Sequence, residues 1–198
     1  MRTISYAIAA AMVAGLAQMA QATPVSNLVT NGSFETGTFS GWNQSGNTGY
    51  TYITTGYAES GTYSALIGPV RSTGTLSQLL STVIGDSYTV SFWLENLGSR
   101  TNSFAASFGS NTLTSLRNSG QFGYTLYSYV VTATSATTNL SFTFRNDPSY
   151  WVLDNVKVTS NAPPVISSVP LPASLPLLGA GLAGFAVFGK RRAKARTA

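Results

Sequence analysis

The chain has 198 residues, of which 43% are hydrophobic and 9% charged, and it contains neither cysteine nor histidine. This balance is too apolar for a disordered chain, and the length suits one ordinary domain with appendages. Without Cys or His there are no disulfides, no thiolate chemistry, no Cys/His zinc sites and no nucleophile activated by an imidazole. The formal charge of +5 belongs to the ends, where Arg2, Lys190, Arg191, Arg192, Lys194 and Arg196 lie; residues 23–189 carry five basic and six acidic side chains, net −1. A nearly neutral body offers no electrostatic footprint for nucleic acid.

Taken in chain order, residues 1–22 read as a secretory signal peptide. Arg2 supplies the positive start, Ile4 to Leu16 the apolar run, and Ala20-Gln21-Ala22 the small-x-small cleavage site. Residues 23–161 then change to Ser, Thr, Gly, Asn and aromatics, with short apolar alternations between turn clusters. Strands are predicted at 50–54, 63–68, 75–81, 87–96, 103–109, 124–134, 139–146 and 151–159. No helical period exceeds two turns. In 87–96, Val90, Phe92 and Leu94 form one face and Ser91, Trp93 and Glu95 the other; in 139–146, Leu140, Phe142 and Phe144 oppose Ser141, Thr143 and Arg145. The expected fold is all-β, an antiparallel two-sheet jelly-roll sandwich large enough to need no disulfide.

Asp154 stands out. In the last strand it shares its phase with Val152, Val156 and Val158, so it is expected to project towards the core. A buried carboxylate is costly unless an arginine, a set of donors or a cation meets it. Glu35 lies at the other end of the domain, after an Asn-Gly turn and before Gly37 to Trp42. A jelly roll that places its ends together brings Glu35 and Asp154 into one site.

The segments Asn31 to Glu35 with Trp42, Glu59 to Ala65, Tyr88 to Asn96 and Tyr150 to Val158 resemble the carbohydrate-binding modules of the galactose-binding-like superfamily. The resemblance implies a structural calcium held by the side chains of Glu35 and Asp154, with Asn31 and Gly61 as carbonyl donors. An all-oxygen set of this kind suits calcium.

Ten tyrosines, ten phenylalanines and three tryptophans exceed the needs of a core this size. Trp93, Glu95 and Arg145, with Tyr127 and Trp151 near them, are the expected polysaccharide-binding patch, where apolar sugar faces stack on rings and hydroxyls meet fixed polar groups. The competing reading is a structural surface or matrix protein that engages proteins or itself without binding glycan. Six carboxylates and no second domain argue against glycoside hydrolysis, which needs a carboxylate pair in a cleft. The expected role is therefore non-catalytic.

The C-terminal end has three parts. Residues 162–174 are Pro-rich and cannot be helix or central strand. Residues 175–189 are uncharged and apolar, and as a helix they span about 22 Å against a hydrocarbon core of about 30 Å, a marginal crossing. Residues 190–198 are basic, which keeps them cytoplasmic while the domain faces outward. Val169, Pro170, Leu171, Pro172 and Ala173, followed by the short apolar run and the basic cluster, resemble the VPLPA variant of the PEP-CTERM sorting signals. The resemblance implies transient membrane residence and processing by an exosortase or archaeosortase-type transpeptidase. It also implies a destination at the cell envelope, cell surface or extracellular matrix, including biofilm. The Pro-Glu-Pro signature itself is replaced by Val-Pro-Leu-Pro-Ala.

Overall fold

A computed structural model describes residues 26–98 and 100–163. The signal peptide, the sorting motif Val169 to Ala173, the apolar run 175–189 and the basic tail lie outside the described residues. Residues 23–164 form a compact unit by themselves, and every core residue lies between Val29 and Val158.

Ten strands follow one another: β1 (Asn43–Gly46), β2 (Thr51–Thr54), β3 (Ser64–Ile67), β4 (Gly74–Ser81), β5 (Ser87–Asn96), β6 (Thr101–Phe108), β7 (Asn111–Arg117), β8 (Phe122–Thr132), β9 (Thr137–Asp147) and β10 (Trp151–Ser160). They make two five-stranded sheets, in the orders β1-β4-β9-β6-β7 and β2-β3-β10-β5-β8, with every pair antiparallel. This is the two-sheet sandwich expected from the alternation. Strands β1 and β7 had no signal in the sequence. β1 is exposed throughout. In β7 a register shift opposite Ala106/Ser107 puts the half-buried Leu113 and Leu116 three apart, which destroys the period of two.

The core forms where the inward rows meet. Val90, Phe92 and Leu94 of β5 face Phe104 and Phe108 of β6 and Leu140, Phe142 and Phe144 of β9, all 0–1% exposed. Phe92 touches Phe142 edge-on with ring centres 5.2 Å apart, and Phe104 packs on Trp151 at 5.5 Å. Each such ring contributes roughly 1.5–3 kcal/mol by leaving water. The N-terminal segment runs beside β10, tied by Leu28 N–H to Val158 O (2.8 Å) and by Val156 N–H to Gly32 O (2.8 Å).

β10 departs from the expected phase. Its register with β5 passes from Asp154↔Trp93 to Lys157↔Ser91 with an extra residue between, and Asn155 there has φ 50°. Before this bulge Trp151 and Leu153 enter the core, and after it Val156 and Val158 do. Val152 and Asp154 therefore face outward from the sheet, opposite to the expected direction. Asp154 is nevertheless fully buried, because chain from outside the strand covers it.

Candidate functional site

The cover is the loop between β2 and β3. Asp154 Oδ2 accepts the backbone N–H of Glu59 (2.9 Å) and Ser60 (3.4 Å), and its Oδ1 accepts that of Asn155 (2.6 Å). Glu35 grips the same loop two residues further on, taking Thr62 N–H on both oxygens (2.9 and 3.1 Å) and Tyr63 N–H on Oε1 (2.9 Å). Gly61 lies between the two grips at φ +74°, and a Cβ there would sit 2.5 Å from Glu35 Oε1. Asn155 adds side-chain bonds to Glu59 and Ser60 at 2.7 Å each. Glu35 and Asp154 thus converge on one loop from opposite ends of the domain.

Burial pushes the Asp154 carboxyl up to about 6, against the three N–H bonds that lower it, and the Glu59 charge raises it further. Among the described residues no cationic side chain pairs with it. Each carboxylate has about four acceptor directions, and three are used on Glu35 and three on Asp154, leaving Glu35 Oε2 and Asp154 Oδ1 with capacity. That residual pair of hard oxygens fits calcium in chemistry. Asn31 fits less well, because its carbonyl already accepts Trp42 Nε1–H (3.1 Å) and Phe34 N–H (3.2 Å). No group of three Asp, Glu, His or Cys suited to a metal occurs among the described residues.

The rest of this outer sheet face carries aromatic side chains at its margins, with Leu66 and Val152 buried between them. Cross-strand pairs share a face, so Tyr52, Leu66, Val152 and Glu95 form one row, and Asp154, Trp93 and Leu126 form part of the next. Trp93 and Glu95 are half-buried, each keeping part of its surface exposed. Burial raises the Glu95 carboxyl, and none of the described residues gives it a hydrogen bond or a cation. Tyr124 donates its hydroxyl to the carbonyl of Tyr57, beside Ser64. Burial, together with the charges of Asp154, Glu95 and Glu59, holds this phenol far above its usual range. At the other end of the face Tyr52 meets Tyr150 edge-on at 5.9 Å, with Tyr50 exposed alongside.

The expected five-residue patch is not one patch. Trp93 and Glu95 do lie together. Tyr127 points between the sheets and stacks on Phe92, centroids 5.3 Å apart and planes within 8°. Trp151 is 0% exposed, and its Nε1–H is shared between Ser103 O (3.1 Å) and Arg145 O (3.0 Å). Arg145 lies on the outer face of the other sheet, bound to Asp147 at 2.7 Å, which holds that carboxyl below its usual range. The bulge in β10 misplaced Trp151, the membership of β9 in the opposite sheet misplaced Arg145, and the pairing of Tyr127 with inward-facing Phe92 misplaced Tyr127; none of the three leaves a periodic trace. Tyr52, Tyr124 and Tyr150 were missed. The alternation of Tyr52 with the core-packed Ile53 was the available signal.

Residues 168–192 match the PEP-CTERM protein-sorting motif, a signal for export and cell-surface sorting. No curated protein matches the sequence. Among solved structures the domain is similar to TmCBM61, solved in complex with beta-1,4-galactotriose, with TM-score 0.57, 18% identity and coverage of 67% of this chain and 97% of that one. It is also similar to the CBM22-1 xylan-binding domain of Paenibacillus barcinonensis Xyn10C, with TM-score 0.52, 16% identity and coverage of 71% and 97%. A third neighbour is the enzymatically active domain of Bacteriophage CBA120 tailspike protein 4, with TM-score 0.52, 16% identity and coverage of 68% of this chain but 21% of that one. At these identities the likeness is one of fold. The chain thus joins a PEP-CTERM sorting motif to a β-sandwich of the kind found in carbohydrate-binding modules.

Proposed function

We propose that this is a non-catalytic, exported surface protein that binds polysaccharide through the outer face of the β2-β3-β10-β5-β8 sheet. The observation that carries the reading is the adjacency of Trp93 and Glu95 on that face, with Tyr52, Tyr124 and Tyr150 around them. An aromatic ring offers a stacking surface for the apolar face of a sugar, and a fixed carboxylate accepts its hydroxyls. The galactan- and xylan-related neighbours support a neutral glycan as ligand. The sorting motif supports an exosortase-type transpeptidase as processing partner and the extracellular matrix as destination.

Calcium belongs to the same proposal, as a brace on the Glu35 and Asp154 oxygens that hold the loop over the sheet. Glu35 and Asp154 themselves position that loop, so the ion's contribution is rigidity of the wall beside Trp93.

Titrating residues 23–164 with galactan, xylan and the producing cell's own polysaccharide tests the binding reading. Trp93→Ala and Glu95→Gln are each expected to weaken binding by about tenfold or more, with the domain still folded at the assay temperature. Saturable binding that survives both substitutions unaltered, or no binding to any of the three, overturns it.

A further inference from the structure

The sheets have four edges, and three are protected in ordinary ways. β1 and β2 are four residues long, and β7 carries Arg117 and a bulge. The fourth edge, β8, runs for eleven residues without a charge or a proline, and the whole stretch from Asn118 to Phe144 is uncharged. Its one irregularity lies at its start, opposite Leu94/Asn96. Alternate residues of an edge strand turn their N–H and C=O groups away from the sheet, a template for another strand.

The side chains of β8 also match themselves. Leu126 pairs with outward-facing Trp93, and Val130 lies two turns of the pleat further along the same face. They are 51% and 71% exposed, the only large apolar side chains of β8 that are so exposed. A two-fold axis through Ser128 puts Leu126 of one copy opposite Val130 of the other, twice over, and Tyr127 opposite Tyr129. With no charge in the strand, no like charges meet across the axis. Such an axis stands perpendicular to the sheet, so it also brings the β7 edges towards each other. The hollow between β7 and β8, lined by Leu113, Tyr129 and Val131, then lies against its own copy.

We infer that the partner of the β8 edge is a second copy of this chain, paired antiparallel through β8 about Ser128 to give a continuous ten-stranded sheet. The Trp93 face remains open in this arrangement and is repeated on the same side of the doubled sheet, which suits a repetitive polymer. The inference stands on the edge itself and does not depend on glycan binding.

Sedimentation equilibrium of residues 23–164 tests it, with three sequences compared. The unaltered sequence is expected to dimerise at micromolar concentration. Leu126→Lys/Val130→Lys places like charges opposite each other twice and is expected to raise the dissociation constant by about a hundredfold or more. Leu126→Lys/Val130→Glu places opposite charges across the same axis and is expected to restore dimerisation, more strongly at low salt. Because both positions are exposed, all three are expected to melt alike at concentrations well below the dimer dissociation constant, and the dimerising sequences to melt higher as concentration rises. A monomer at all concentrations, a dimer indifferent to the double lysine substitution, or a charge-paired variant as monomeric as the like-charged one each overturns the inference.

Discussion

Asp154 makes the loop clamp measurable through its proton. In the metal-free fold, burial moves its carboxyl from the usual 3.8 to about 6. At about 1.36 kcal/mol per pH unit this displacement is worth about 3 kcal/mol. Because the folded value lies above the unfolded one, the folded state binds the proton more tightly. The associated stability is fully present below pH 4 and is lost as pH rises through 6. With about 2–5 °C per kcal/mol for a domain of this length, the melting temperature in EDTA should fall by roughly 10 °C across that window. Other groups titrate as well, so the quantity to read is the difference between the unaltered sequence and Asp154→Asn, followed by circular dichroism from pH 4 to 7. Saturating calcium should remove the fall, since a bound cation favours the ionised carboxylate. If the two sequences keep parallel pH profiles in EDTA, Asp154 is not the strained, buried acid described above. If EDTA and calcium give the same profile, the clamp works through the loop N–H groups alone and the calcium proposal fails.

Two further outcomes separate core from site. Trp151→Phe leaves the carbonyls of Ser103 and Arg145 without their indole donor inside a packed core, and should cost about 2–3 kcal/mol in urea unfolding. Its glycan affinity should be unchanged, and a selective loss of binding would contradict the buried placement. Gly61→Ala combines φ +74° with a Cβ contact of 2.5 Å to Glu35 Oε1 and should cost about 1–3 kcal/mol. The same substitution made together with Glu35→Ala should cost less than the sum of the two, and strict additivity would refute the contact.

Alternation was enough to identify an all-β chain, and the C-terminal motif, not composition, carried its export. β5 and β9 alternate so regularly that the sequence alone puts Phe92 and Phe142 in the core and Trp93 and Glu95 outside it. The approach of Glu35 to Asp154 was also legible, through local motifs at the two ends. The sorting motif is a linear signal, and a linear reading suffices for it.

What only the tertiary structure decided is which sheet, and which side of it, each remaining residue occupies. One extra residue in β10 turns Val152 and Asp154 away from the core and puts Trp151 into it, because the side-chain period in a strand is two and a single insertion inverts it. Pairing β9 with β4 and β6 sends Arg145 to the far face from Trp93, and no periodicity records which strands are neighbours. Tyr52, Tyr124 and Tyr150 come from three different strands or strand ends, more than 20 residues apart in sequence, and share one face only because non-local hydrogen bonding aligns their strands. The exposed β8 edge follows from the same fact: a strand becomes an edge through the absence of a neighbour, which is a property of the assembled sheet.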